Sequence, residues 1–233
     1  MFNDQLEEIR RKIWKEEKQY LMKHVSLGLI QNNAMKIADY TLSSGKKSPY
    51  YVDLRQSISS PMAMDLIANS LARIVDNEIG RSKIDRIMGV PTAGIPFATI
   101  VSQKLAIPML YYRKERKEHG VRKKIEGYFE TSDRILMIDD LITTGQSVIK
   151  AAKVAREQGG IVTELVVLLD REQGGKGNIL TNNIKPHILF SISEAFEWLN
   201  EVELLSDKDY EMIMEYINKE KKSAIASETK MEQ

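Results

Sequence analysis

The strongest constraint on the fold is a set of nearly continuous apolar runs, each ending in a turn rich in glycine, hydroxyl or charge. They fall at 84–90 (IDRIMGV), 108–112, 134–138 (RILMI) and 161–169 (IVTELVVLL), with a further strand near 187–192. A strand with one wet face alternates apolar and polar residues. A strand that is apolar throughout is covered on both faces. Helical segments follow at 96–105, 146–158 and 193–199, and in 146–158 Val148, Ala151, Ala152 and Ala155 recur at helical spacing before Gly159-Gly160 stops it. Strands alternating with helices imply an α/β protein with an open, mostly parallel sheet flanked by helices.

The flanks read differently. Residues 3–30 form a highly charged helix, and 35–54 two short strands around a Ser-Ser-Gly turn, giving a small N-terminal hood over 1–60. Ser60-Pro61 opens a helix whose Ile67, Leu71, Ile74 and Val75 face inward until Gly80. The core is expected over 61–205. A C-terminal helix follows over 206–220, with Ser206 as its N-cap and Tyr210, Ile213, Met214 and Ile217 as its buried stripe. Residues 221–233 show no periodic pattern and are predicted to be disordered.

Composition removes several chemistries. The 233 residues include no Cys, which excludes a thiolate nucleophile, a disulfide scaffold and Cys-based metal sites. The three His (His24, His119, His187) are far apart, and His24 and His187 read as structural, as Trp14 and Trp198 read as packing. No apolar run approaches the ~20 residues a bilayer demands, and the N-terminal stretch lacks a signal-peptide core, so a cytoplasmic, reducing compartment is expected. With a net charge of +1, no global field draws the chain to nucleic acid or membrane. The charge is concentrated instead. RKERKEHGVRKK (113–124) holds seven Lys/Arg against two Glu, an excess of +5 that points to an anionic ligand.

In an open parallel sheet ligands bind beyond the carboxyl ends of the strands. The ends here are GVPTAG, YYRKERKEHG, IDDLITTG and LDREQGG. The third is the sharpest. A buried strand ending in Asp139 and Asp140 needs a reason, because an unpaired buried charge is costly. Two adjacent acids can accept from the vicinal hydroxyls of a ribose, or sit near Mg²⁺. Thr143, Thr144, Gly145, Gln146 and Ser147 then offer hydroxyls and backbone N–H groups at a helix N-terminus, which suits a phosphate. Acids for a diol beside donors for a phosphate describe a ribose 5-phosphate site. It is not a Walker loop, since no Gly-Lys-Ser/Thr follows.

The order apolar strand–DD–LI–TTG–S resembles the phosphoribosyl-diphosphate (PRPP) signature of type I phosphoribosyltransferases. Within them the chain resembles orotate phosphoribosyltransferase. YTLSSGKKSPYYVD is similar to that family's N-terminal substrate segment, GVPTAGIPFAT to its pyrophosphate turn, RKERKEHG with the following IEG to its catalytic loop, and LLDREQGG to its base-recognition strand end. The resemblance runs from about residue 28 to 200, with the motifs in family order. It implies that Asp139 and Asp140 hold the ribose hydroxyls and that Leu141, Ile142 and Thr143 to Ser147 surround the 5-phosphate. It further implies that Arg171 pairs with the orotate carboxylate and that Tyr51 and Val52 flank the pyrimidine. Arg113, Lys114, Lys117 and His119 would meet the pyrophosphate, largely across a homodimer interface, with Lys117, His119 and Asp140 as the catalytic residues. Mg²⁺, held mainly by PRPP, is the implied cofactor, and UMP biosynthesis the implied pathway. Ser43 and Ala93 stand where many bacterial relatives have lysine. The first leaves Lys46 or Lys47 to supply a substrate contact, and the second leaves the turn to bind through backbone N–H groups, with Gly94 admitting close approach.

Two alternatives share this fold. One is a purine phosphoribosyltransferase, disfavoured by the Lys-Glu-x-Lys-x-His-Gly loop and by DREQGG. The other is a PRPP-sensing regulator that binds nucleic acid, disfavoured by the balanced charge of EEIRRKIWKEEK and by the catalytic loop.

Overall fold

In the computed structural model, which describes residues 2–41, 45, 47–113 and 124–231, a six-stranded sheet carries helices on both faces beside a two-stranded ribbon. The order is α1 (Phe2–Gln31), β1 (Met35–Thr41), β2 (Lys47–Val52), α2 (Pro61–Ile74), β3 (Arg86–Gly89), α3 (Gly94–Leu105), β4 (Met109–Tyr112), β5 (Ile125–Glu126), β6 (Arg134–Ile142), α4 (Gln146–Glu157), β7 (Ile161–Asp170), α5 (Gly175–Thr181), β8 (Lys185–Ser191), α6 (Ile192–Glu201) and α7 (Asp207–Met231). β1 and β2 pair antiparallel. The main sheet runs β5-β4-β3-β6-β7-β8, parallel throughout except for the short β4–β5 return.

The continuous apolar runs follow from coverage on both faces. Along β6, Leu136 and Ile138 point into a core shared with α1, α2, α3, α6 and α7, while Ile135 and Met137 point into a second core with α4 and α5. β7 divides in the same way, Val166 and Leu168 against Leu165 and Val167. Successive side chains of a strand point to opposite faces, so each strand needs two apolar sets.

Differences from the sequence expectation have local causes. β6 does not stop at Ile138 but carries both aspartates, because pairing with β7 continues through Asp139–Val167 to Ile142–Asp170. β5 is too short, and α5 (GKGNILT) too glycine-rich, to be read from pattern. The disorder predicted over 221–233 is corrected as far as Met231, to which α7 continues; residues 232–233 lie outside the described residues. That stretch is rich in Lys, Ala, Glu and Met, which extend a nucleated helix without an apolar stripe. Its Lys221 is anchored to Glu172 at 2.8 Å.

The N-terminal helix is bolted to the core by polar contacts. Trp14 Nε1 and Lys18 Nζ donate to Glu78 Oε1 at 3.0 and 2.8 Å, and Arg73 grips Glu17 with two bonds of 2.6 and 2.8 Å. His187, on β8 and 3% exposed, sits between Glu78 and Glu164 at 2.7 Å from each. Both the structural reading of His187 and the packing reading of Trp14 therefore acquire a partner, the Glu78 carboxylate. Burial alone would raise the Glu78 pKa, but hydrogen bonds from His187, Lys18 and Trp14 outweigh it and hold the group at about 2.

A carboxyl whose folded pKa lies below its unfolded value stabilises the fold above the unfolded pKa, and that stability is lost as pH falls through the folded pKa. Glu78 titrates at 4.5 when unperturbed and about 2 in the fold. Urea midpoints of the wild type and Glu78→Gln should thus differ most above pH 4.5 and converge towards pH 2, the lost contribution being about 3 kcal/mol. A pH-independent gap between the two would exclude the ionised network.

Candidate active site

The parallel register sets the carboxyl ends of β4, β3, β6 and β7 side by side, so the turns that follow them meet along one sheet edge. A cavity of about 200 Å³ opens there, lined by Pro91, Thr92 and Ala93 on one side and residues 139–148 on the other. Gly94 brings these walls together. A Cβ at Gly94 would lie 2.6 Å from the Ile138 carbonyl oxygen and 3.0 Å from Asp139 Oδ1, so only glycine lets the start of α3 rest on the end of β6. The close approach expected at Gly94 is thus made to the end of β6, and the Gly94 N–H itself donates to Val90 O at 3.0 Å. The Pro91–Thr92 peptide bond is cis.

Asp139 is buried, and its Oδ1 accepts from the Asp140 N–H at 2.9 Å. Burial raises the Asp140 pKa above the usual carboxylate range, offset only in part by hydrogen bonds to Asp139 and to the Leu141 backbone. Arg55, held on Asp53 by bonds of 2.6 and 2.9 Å, adds a positive field at Asp140. Arg55 escaped the sequence reading because it lies in a 3₁₀ turn, Leu54–Ser59, with no motif around it.

Leu141 and Ile142 complete β6, and Ile142 packs into the second core while still bordering the cavity. Thr143 to Ser147 then turn into α4. Its N-cap, Gly145, supplies no side-chain cap, so the first N–H groups of α4 stay available to an anion. The loop is braced from beneath by the strand end read as base-recognising. Gly175 N–H donates to Thr143 O at 2.9 Å, Asn178 Nδ2 to Thr144 O at 3.1 Å, and a Cβ on Gly175 would lie 2.6 Å from Thr143 O. The second glycine of DREQGG, Gly175, thus braces the Thr143–Ser147 turn, a role invisible without α5.

Arg171 leaves β7 beside this loop, its N–H donating to Ile142 O at 3.0 Å. Its guanidinium lies 5.9 Å from the Tyr50 ring centroid, and its Nε is buried without a partner among the described residues. Tyr50, not singled out from sequence, is the hood residue that touches Arg171. Tyr51 is half-buried, 5.3 Å from the Tyr40 ring, with its hydroxyl 3.5 Å from Asp53. Val52 is buried, and Lys47 is exposed opposite Thr41. Arg113 ends β4, pairing with Glu126 at 3.1 Å and donating its N–H to Lys124 O. Lys114, Lys117 and His119 lie outside the described residues, as do Ser43 and Lys46.

The strand ends thus place two carboxylates beside an uncapped helix N-terminus, an arrangement that suits a phosphorylated sugar. Residues 56–206 match the phosphoribosyl transferase domain family. The chain is 37% identical over 171 residues to an orotate phosphoribosyltransferase of Methanosphaera stadtmanae, covering 73% of this chain and 94% of that one. It is 36% identical over 190 residues to the uridine 5'-monophosphate synthase of Bos taurus, covering 82% of this chain but only 39% of that longer protein. Its fold is similar to an orotate phosphoribosyltransferase of Mycobacterium tuberculosis in complex with PRPP, with a TM-score of 0.60 and 25% identity over 75% of this chain and 98% of that one. The chain belongs to the orotate phosphoribosyltransferase family.

Replacing Gly94 with Ala should separate the two cavity walls. We expect a stability loss of roughly 1–3 kcal/mol in thermal or urea unfolding together with weaker PRPP binding by calorimetry. Unchanged binding and stability would show that the contact with Asp139 is not needed.

Proposed function

We propose that this chain transfers the 5-phosphoribosyl group of PRPP to orotate, releasing orotidine 5'-monophosphate and pyrophosphate, as a step of UMP synthesis in the cytoplasm. The observation that carries this reading is the placement of Arg171. A half-buried arginine, its Nε buried without a partner among the described residues, stands one backbone hydrogen bond from the strand that carries Asp139 and Asp140. The carboxylate of an acidic, planar base would satisfy it by accepting two parallel bonds, which a guanidinium fork donates in one plane and an ammonium does not.

The ribose hydroxyls donate to Asp139 and Asp140, and the 5-phosphate sits on the Thr143–Ser147 turn. At C1 of the ribose the bond to pyrophosphate breaks as the base nitrogen approaches from the opposite face. Positive charge builds on the ring, and the carboxylates of Asp139 and Asp140 supply the opposing field. Arg171 orients the base, so positioning contributes alongside charge. Lys117, assisted by His119, neutralises the departing pyrophosphate, with Arg113 and Lys114 beside them and the segment reaching into a second subunit of a homodimer.

Among the described residues no cluster of three or more metal-ligating side chains occurs. The carboxylate oxygens of Asp139 and Asp140 are hard donors that would fit a Mg²⁺ carried in by PRPP oxygens. When bound, the ion neutralises charge on the pyrophosphate.

The assay is direct. Purified chain mixed with PRPP, Mg²⁺ and orotate should consume orotate absorbance. Turnover of adenine or hypoxanthine with orotate untouched would overturn the assignment. Lys117→Ala should lower kcat by about 10²-fold with the fold intact by circular dichroism; near-normal turnover would remove that residue from its role. Arg171→Lys should raise the KM for orotate about tenfold or more and leave that for PRPP nearly unchanged. An equal rise in both would count against the carboxylate pairing.

A further inference from the structure

α7 lies outside the match to the phosphoribosyl transferase domain, which ends at residue 206, yet it touches the surroundings of Arg171 from two directions. The first contact runs through Tyr50. That side chain is 1% exposed and carries the guanidinium over its ring, 5.9 Å from the centroid. Its ring is wedged between Phe196 at 5.0 Å and Tyr216 of α7 at 5.8 Å, the latter edge-on at 85°. An edge-to-face pair fixes the plane of both rings. Tyr216 thus sets the plane on which the guanidinium rests.

The second contact runs through the residue after Arg171. Glu172 has a left-handed backbone, φ 58°, a conformation that a side chain of this kind adopts only when held. Three bonds hold it. Its N–H donates to Asp170 Oδ1 at 2.8 Å, its Oε2 accepts from the Ser193 N–H at 3.1 Å, and its Oε1 accepts from Lys221 Nζ of α7 at 2.8 Å. The Glu172 and Lys221 side chains are 18% and 34% exposed, so the pair is better shielded than an ordinary surface ion pair. The backbone that aims Arg171 is therefore pinned from the same helix that pins its stacking partner.

We infer that α7 is a positioning strap for the base-recognising arginine, with Tyr216 acting through Tyr50 and Lys221 through Glu172. This rests on the proposed pairing of Arg171 with the substrate carboxylate. Neither residue touches the reacting atoms. Both reduce the freedom of a guanidinium whose two-pronged bonding demands a fixed plane. The strap should therefore govern recognition of the base and leave the PRPP half of the site, built on β6 and α4, unaffected.

The test is steady-state kinetics on the full chain for Lys221→Met and Tyr216→Leu, each alone and combined with Arg171→Lys. Each single variant should raise the KM for orotate about three- to tenfold, with kcat and the KM for PRPP within about twofold. On the Arg171→Lys background neither should add a further rise, and Lys221→Arg should restore the wild-type KM. A normal orotate KM in Lys221→Met, where Arg171→Lys alone is impaired, overturns the strap and spares the arginine reading. A parallel rise in both KM values, or full additivity with Arg171→Lys, also overturns it, since either indicates general loosening. If Arg171→Lys itself leaves orotate unaffected, the arginine reading fails and the strap falls with it. Should Tyr216→Leu fail to fold, the partly exposed Lys221→Met carries the test.

Discussion

The site depends on one close approach, that of the α3 N-terminus to the end of β6. Two carboxylates at the end of a buried strand are unfavourable unless something nearby uses them, and the same burial that raises the Asp140 pKa makes its field strong. The absence of a side chain at Gly94 lets the turn after β3 lie against Asp139. Carboxylates, helix N-terminus and pyrophosphate turn then share one small cavity. Everything else in the core serves to hold those strand ends in line.

That alignment is a property of the sheet. Parallel pairing of β4, β3, β6 and β7 places chemically different turns at neighbouring positions on one edge, spaced by the strand separation. Coverage of both faces makes the sheet stiff, and residues on loops gain precision from it. The support is layered. α5 braces the phosphate loop through Gly175, the hood delivers Tyr50 to Arg171, and α1 joins the hood to the core through Glu78.

Much of this was legible from residue order. The alternation of apolar runs and helical segments implied the sheet, and Asp139-Asp140 before Thr143-Thr144-Gly145 marked the strand end where the structure opens a cavity, because strand, acid pair and helix entry are all local in sequence. What escaped was non-local or unpatterned. Arg55 acts at Asp140 from a turn far away in the chain, Tyr50 reaches Arg171 only once the hood has folded, and Gly175 of DREQGG works by contact with Thr143. The end of α7 escaped for another reason. It has no apolar stripe, so periodicity could not find a helix sustained by propensity and one ion pair.

By itself, then, the amino-acid order determined the fold class, the direction of the strands and the chemical character of the strand end that carries Asp139, Asp140 and the Thr143–Ser147 turn. Each of these rests on neighbours within a few residues, whose periodicity and capping are settled by short-range sterics and burial. Only the tertiary structure decided which groups meet. The placement of Gly94 on Asp139, of Tyr50 under Arg171 and of α7 over both Tyr50 and Glu172 joins residues far apart in the chain. Such contacts depend on how whole elements pack, and no local pattern encodes that.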